Sequence, residues 1–224
     1  LNFGLRYLFG VPENLAVPSA LTALGVLMAV ASCVLGVDKG IRIISELNIW
    51  SAAAMLVYIL IFGQTAFLMN GIVQNIGRFI FTLPERTLQT MGYNPDGAEW
   101  MGSWTLFFWA FWLAWGPFVG LFLARISRGR TLREFVLAAI TAPVLCDFLI
   151  VTIFGNSALH EVMVNGNEEF AQLSMDSPEQ GWYALLEMFP GATFLIGLAT
   201  LSGLLFYLTS ANSGAMVMSN YSST

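Results

Sequence analysis

Three tryptophans that recur every third residue are the side chains in this sequence best suited to bind a ligand. Trp109, Trp112 and Trp115 lie inside an uncharged apolar run, residues 104–124. Indole prefers the membrane interface, where its N–H finds water or headgroups, so indoles at mid-span are unusual as lipid-facing groups. An aromatic cluster without a neighbouring acid suits a poorly hydrated cation such as a quaternary ammonium, at about 2 kcal/mol or more per desolvated contact. Aromatics that only pack against helices or lipid are the alternative interpretation.

A Gly116-Pro117 pair follows the tryptophans directly. Proline removes a backbone donor and clashes with the preceding turn. A carbonyl freed in this way is costly in lipid unless it lines a cavity or finds a partner, and interrupted helices at mid-membrane are typical of secondary transporters. We therefore expect a helix break at Gly116 and Pro117, with a plain proline kink as the alternative.

The composition is that of a membrane protein. The chain has 224 residues, of which 57% are hydrophobic and 10% are charged, whereas soluble domains carry about 25% charged residues. The few basic residues are too localised for a nucleic-acid surface. Catalytic triads, metal-ligand spacings and nucleotide-binding glycine loops are absent from the sequence, which argues against an enzyme, a cofactor or a metal site. Cys33 and Cys146 lie in apolar runs and are expected to be buried and unpaired.

Hydropathy predicts an all-α, polytopic membrane domain over residues 1–224, with bilayer-length spans of about 20 residues. Ser45 and Asn48 are candidate caps for the second span. His160 opens a polar, acidic segment, residues 160–181, that is predicted to be an aqueous loop. The lack of an initiator methionine suggests a fragment of a longer protein. The predicted spans are residues 16–36, 49–70, 104–124, 135–155 and 189–211, with an amphipathic interfacial helix over residues 71–91.

Charge asymmetry orients these spans according to the positive-inside rule. The predicted cytoplasmic side carries Lys39, Arg42, Arg125, Arg128, Arg130 and Arg133, and the other side carries Arg6, Arg78 and Arg86. The arginine segment 125–133 is interpreted as a topology determinant and anionic-lipid contact, or as a gating element with Glu134 as its local partner. Asp147 lies inside an apolar run and is either a packed structural acid or part of an ion pathway.

The run from residue 104 to residue 135 resembles the signature of the betaine/choline/carnitine transporter family. Three shorter stretches agree with it, residues 39–48, 154–157 and 209–214, so the resemblance extends over the whole chain. It implies a LeuT-type protein of twelve membrane helices, ten of which form two inverted repeats. The chain would supply helices six to ten of a homotrimer.

The resemblance also implies site residues. Trp112 and Trp115 would bind substrate with Trp109 nearby, and Phe111 stands where many members have another tryptophan. The Phe206 carbonyl and the Thr209 and Ser210 hydroxyls would form half of a sodium site, Phe118 would border another, and Asn212 replaces a usual aspartate. From the residues alone, the two hydroxyls could equally bond back to their own helix. The coupling ion, sodium or proton, stays open.

Together these features predict a secondary active transporter of the bacterial inner membrane. It would import choline or glycine betaine by alternating access. The alternatives are a membrane osmolyte sensor, an exchanger of the carnitine/betaine type without ion coupling, and a structural scaffold.

Overall fold

The computed structural model describes residues 1–12, 14–34, 42–95 and 97–222. Within these ranges 86% of the residues are helical and no strand is present, so the predicted all-α class is confirmed. The helices are α1 (Asn2–Phe9), α2 (Ala16–Val34), α3 (Arg42–Phe62), α4 (Thr65–Leu88), α5 (Gly97–Trp100), a π-helical segment (Met101–Leu106), α6 (Phe107–Ile126), α7 (Leu132–Met163), α8 (Glu168–Asp176), α9 (Pro178–Glu187) and α10 (Ala192–Ser222).

Four helical runs in the described part of the chain are long and apolar enough to cross a membrane. They are Arg42–Phe62, Gly97–Ala124, Leu132–Met163 and Ala192–Ala215. In Gly97–Ala124 none of the apolar window is buried inside the protein, which is expected of a helix whose surface faces lipid or other membrane helices. Helix α2 is also apolar, and the end of the predicted first span lies outside the described residues.

The boundary between the second span and the amphipathic helix lies earlier than predicted. Helix α3 ends at Phe62, and α4 starts at Thr65, not at residue 71. The Gly63 N–H still bonds to the Ile59 carbonyl at 2.8 Å, and Thr65 donates its hydroxyl to the Leu60 carbonyl at 2.6 Å. The amphipathic pattern marks which face of α4 is apolar but gives no signal for its first turn, so the sequence misplaced the helix start.

The polar segment after residue 160 is helical, and its prediction as a loop is wrong. Asn167 caps α8 by accepting the Phe170 N–H at 3.0 Å, and Pro178 starts α9, which is a favoured place for proline. Phe170 and Leu186 are buried. The acidic composition is that of two short amphipathic helices.

The prediction that His160 opens an aqueous loop, and is therefore solvent-exposed, is also wrong. His160 lies inside α7 and is partly buried. Its ring meets the edge of Phe67, with centroids 5.1 Å apart.

The chain divides into two compact units. The first comprises Leu1–Ile72 and Leu145–Ala215, and the second comprises Val73–Val144 and Met216–Thr224. The hydrophobic core of the first unit joins α3, α4, α7, α9 and α10. Its buried members are Met55, Ile59, Leu68, Ile153, Phe154, Leu186, Leu195, Ile196 and Ala199.

Helices α3 and α10 run antiparallel in this unit. The Ser51 and Ser202 hydroxyls hydrogen-bond at 2.6 Å in a buried position, while the Tyr58 hydroxyl donates to the Pro190 carbonyl just before α10. Moving forward along α3 from Ser51 to Tyr58 thus corresponds to moving backward from Ser202 to Pro190, which shows that the two helices are antiparallel. The predicted capping role of Ser45 and Asn48 is wrong, because both lie within α3 and Asn48 is buried.

A close glycine contact holds α2 against α10. A Cβ atom at Gly25 would lie 2.3 Å from Cε1 of Tyr207, a separation that packed atoms do not tolerate. We expect Gly25→Leu to lower the thermal stability of the full-length protein in detergent, at a cost of about 1–3 kcal/mol for overpacking. Combining Gly25→Leu with Tyr207→Ala should restore part of that loss. Gly197→Leu is the matched control, since a Cβ there meets no atom within 4 Å. If Gly25→Leu and Gly197→Leu lowered the thermal stability equally, the proposed contact between Gly25 and Tyr207 would be contradicted.

Candidate functional site

The tryptophan helix is continuous where a break was predicted. Helix α6 is α-helical from Phe107 to Ile126, with Pro117 inside it. The prediction of a break at Gly116 and Pro117 is therefore wrong for this structure. Proline removes a single N–H donor, and membrane helices accommodate that loss without unwinding. Gly116 keeps its backbone N–H and does not interrupt the helix. The observed structure therefore agrees with the alternative interpretation, in which Pro117 lies in a helix that is not unwound.

The backbone departs from α-helical geometry just before α6 and not within it. Met101–Leu106 forms a π-helix that leads directly into α6. π-Helical turns are rare overall, but those that occur are often found at functional sites. Their extra residue displaces the side chains that follow them. Gly102 and Ser103 at its centre are weak helix formers, which is the only signal for this segment in the sequence. Sequence reasoning missed it because an apolar run does not distinguish α from π backbone.

Aromatic rings of α6 pack against one another along one side of the helix. Phe107 and Phe111 have centroids 6.4 Å apart, Phe111 and Trp115 5.4 Å, and Trp115 and Phe118 5.6 Å. Phe111 also meets Trp112 edge-to-face at 5.7 Å. These distances lie in the range of favourable aromatic pairs, so the series orients the rings of Phe111 and Trp115.

Two of the predicted tryptophans share an open hollow. Its volume is about 370 Å³, and it is lined by Phe108, Trp109, Trp112 and Leu113. Trp109 is 65% exposed and Trp112 63% exposed, so both indole faces are accessible. The lining contains no carboxylate, and cation–π attraction is the only strong force that these side chains offer to a cation.

Trp115 occupies a different environment from the other two. It is 41% exposed, and its ring is flanked by Phe111 and Phe118. The structure thus brings Trp109 and Trp112 to the hollow and places Trp115 in the adjoining aromatic series. All of these residues belong to the second unit.

The hydroxyl residues predicted to bind sodium lie on α10, in the first unit. The Thr209 hydroxyl donates to the Phe206 carbonyl at 3.0 Å, and the Ser213 hydroxyl donates to the Thr209 carbonyl at 2.8 Å. Ser210 is exposed. Thr209 therefore bonds to its own helix, which was one of the two interpretations. Phe118 lies in the second unit.

The basic segment forms a tight turn before α7. Gly129 has a φ of 86°, a conformation that glycine adopts without steric cost, and the Arg130 N–H bonds to the Ser127 carbonyl at 3.1 Å. The Glu134 carboxylate accepts from the backbone N–H and the hydroxyl of Thr131, both at 2.9 Å. This is a capping box. The described hydrogen bonds of Glu134 thus go to the helix terminus and not to an arginine.

Two polar side chains inside predicted spans are exposed in this structure. Cys146 is an exposed free thiol, so its predicted burial is wrong, and the side chain of Cys33 lies outside the described residues. Asp147 is also exposed on α7. Sequence periodicity over α7 is too weak to show which face points outward, because the whole helix is apolar. Among the described residues, no group of three His, Cys, Asp or Glu side chains could hold a metal ion.

The sequence matches the betaine/carnitine/choline family transporter (BCCT) over residues 1–224. The chain belongs to the BCCT family. The osmo-dependent choline transporter BetT2 of Acinetobacter baylyi is 49% identical over 221 residues, which cover 99% of this chain and 32% of the relative. The high-affinity choline transport protein of Escherichia coli K12 is 48% identical over 223 residues, covering 100% and 33%. A glycine betaine transporter of Acinetobacter baylyi is 34% identical over 218 residues, covering 97% and 33%.

Membership in the BCCT family confirms several predictions from the sequence. Members are transporters and not enzymes, and they are integral membrane proteins. The apolar helices agree with a multi-pass protein of the bacterial inner membrane. The BCCT chain described here spans about a third of the length of these relatives.

Proposed function

We propose that this chain is part of a secondary active transporter that imports a quaternary ammonium osmolyte, choline or glycine betaine, by alternating access. The accessible indole faces of Trp109 and Trp112 in an uncharged hollow carry this proposal. Relatives that match almost the whole chain are named as choline and glycine betaine transporters.

The proposed substrate site is formed by Trp109, Phe111, Trp112 and Trp115. A trimethylammonium group has no N–H, so it needs no hydrogen-bond acceptor, and its positive charge is stabilised by aromatic faces. Phe111 and Trp115 pack on each other at 5.4 Å, which supports a role in fixing the ring beside the site. A carboxylate or hydroxyl on the substrate would have to be recognised by other groups, because the hollow offers it no charged partner.

The proposed coupling ion is sodium or a proton. A sodium site would use the Phe206 carbonyl with the hydroxyls of Thr209 and Ser210, and Phe118 would border a further ion position. The Thr209 hydroxyl and the Phe206 carbonyl oxygen lie 3.0 Å apart and share a hydrogen bond, so a cation that contacts both oxygens would replace this bond. Hydroxyl and carbonyl oxygens are ligands that hard cations accept.

Uptake by the full-length protein in proteoliposomes tests the function. We expect radiolabelled choline or glycine betaine to accumulate above its outside concentration when an inward sodium or proton gradient is imposed. Exchange without net accumulation would favour an uncoupled exchanger, and binding without flux would favour a sensor; either result contradicts the proposed import. Carnitine in parallel assays tests specificity. We also propose a homotrimer, which the mass of the purified protein would show.

A further inference from the structure

One buried polar contact joins α3 to α10 in the first unit. The Ser51 and Ser202 hydroxyls lie 2.6 Å apart, and the two residues are only 8% and 5% exposed. One turn away on the same helices, Met55 on α3 and Ala199 on α10 belong to the buried apolar core. A hydrogen bond in such surroundings is strong and directional, so it specifies one alignment of the two helices where apolar contacts would allow several.

The Ser51–Ser202 contact involves the same helix, α10, that carries the proposed ion ligands Thr209 and Ser210. Ser202 precedes Thr209 by two turns of α10, or about 10 Å along the helix axis. Because α10 is one continuous helix from Ala192 to Ser222, its axial position at Ser202 determines the position of the Thr209 and Ser210 hydroxyls. An α-helix is stiff over this length, so a displacement at one point is carried to the other.

Between α3 and α10, the serine pair lies nearer to Thr209 than the bond from the Tyr58 hydroxyl to the Pro190 carbonyl, which lies just before α10. Asn48 lies one turn before Ser51 on α3 and faces the same side, since residues three apart share a helix face. Because α3 and α10 are antiparallel, this turn lies on the side of Ser51 towards Thr209. The Asn48 Oδ1 is buried and accepts no hydrogen bond from the described residues. The polar side chain nearest in sequence to Ser51 on that face therefore adds no bond through this oxygen.

We propose that Ser51 and Ser202 are positioning residues that fix the register of α10 against α3 and thereby place Thr209 and Ser210 for ion binding. The ion-binding part rests on the proposed function. The register itself does not, and it can be measured without transport. If either hydroxyl is removed, the remaining serine can bond back to its own helix, and the alignment of α10 is no longer specified at this point.

Thiol labelling of Ser210→Cys tests the register. The full-length protein would carry Cys33→Ala and Cys146→Ala, with any cysteine elsewhere in it also replaced, and the rate of modification by a hydrophilic maleimide would be measured in membranes. We expect Ser51→Ala, Ser202→Ala and the double variant to change this rate by similar factors of about three or more, because each removes the same bond. A rate in all three variants within experimental error of the parent would overturn the proposal.

Two variants separate positioning from stability in the same assay. Ser157→Ala removes another buried hydroxyl, one that bonds to the Ile153 carbonyl of its own helix at 2.7 Å; it should leave the labelling rate unchanged. Asn48→Leu removes a buried amide oxygen that has no partner within the described part of the chain, and it is expected to raise the melting temperature while the labelling rate stays the same. If the labelling rate followed the melting temperature across these variants, the serine pair would be merely structural.

Sodium activation of uptake supplies the functional readout. Ser202→Ala should raise the sodium concentration that gives half-maximal uptake by a factor of about three to ten, while the choline KM at saturating sodium stays within twofold, because the aromatic site is untouched. Changed labelling with unchanged sodium activation would overturn the link to the ion site. A wild-type protein without sodium-dependent uptake would overturn the proposed sodium coupling instead, and the labelling result would still decide the register.

Discussion

Replacing both Trp112 and Trp115 with alanine is expected to lower choline kcat/KM by a factor of about 100 to 1,000. Each cation–π contact with a desolvated quaternary ammonium contributes about 2 kcal/mol, and about 1.4 kcal/mol corresponds to a tenfold change in affinity. Two such contacts account for the upper end of this range. Water that enters the enlarged site compensates for part of the loss, since choline is then partly hydrated. Initial rates of radiolabelled uptake into proteoliposomes would measure the effect.

The single variants should differ, because the structure places the two rings differently. Trp112→Ala opens the hollow directly, whereas Trp115→Ala also removes the ring contacts to Phe111 and Phe118. Trp112→Phe keeps an aromatic face and should retain more transport than Trp112→Ala. These comparisons separate the loss of a cation–π face from the loss of packing.

Trp50→Ala is the matched control for the tryptophan variants. Trp50 lies on α3 in the other unit and is 75% exposed, so its removal deletes an indole of similar exposure without touching the hollow. Uptake by this variant should stay within twofold of the wild type. If the double variant at Trp112 and Trp115 also transported at the wild-type rate with normal protein levels, the assignment of the substrate site would be wrong.

The sequence was sufficient for the fold class because membrane helices obey simple constraints. Lipid offers no hydrogen bonds, so long uncharged runs must be helical, and this reasoning located the helices that became α3, α6, α7 and α10. It failed at Gly63 and at residue 160, where helices begin, end or continue in segments of mixed polarity. Amphipathic helices such as α8 and α9 have the composition of loops, and the burial of their own residues Phe170 and Leu186 is what distinguishes them from loops.

The sequence predicted a set of candidate site residues, which stays a prediction, and it did not predict their geometry. The spacing of the tryptophans predicted an aromatic cluster, yet it did not show that Trp109 and Trp112 share a hollow while Trp115 packs with Phe118. Pro117 does not break α6, because one missing donor does not unwind a helix whose other bonds are intact. The Ser51–Ser202 bond joins residues that are 151 positions apart, and no local pattern could have paired them.

Thr209→Val is expected to raise the sodium concentration for half-maximal uptake by a factor of about ten, because it removes one oxygen ligand of the proposed site. This factor corresponds to a loss of about 1.4 kcal/mol in sodium binding. Valine keeps the shape of threonine and removes only the hydroxyl. That hydroxyl lies 3.0 Å from the Phe206 carbonyl oxygen, and both oxygens are proposed ligands. The choline KM at saturating sodium should be unchanged, since the aromatic side chains are intact. Uptake would be measured over a sodium series at constant ionic strength.

Thr82→Val is the matched control for this hydroxyl. Its side chain makes the same kind of bond, to the Arg78 carbonyl at 2.8 Å, on the amphipathic helix α4. Loss of such a bond from a helix surface changes stability little, so the sodium series should be that of the wild type. If Thr209→Val and Thr82→Val behaved alike while the wild type responded to sodium, the Thr209 hydroxyl would be only a helix-bonded group. The Thr209 hydroxyl already donates to the Phe206 carbonyl, so a sodium ion that binds both oxygens has to replace this bond. The two variants therefore test whether the Thr209 hydroxyl binds the ion during transport or only bonds to its helix.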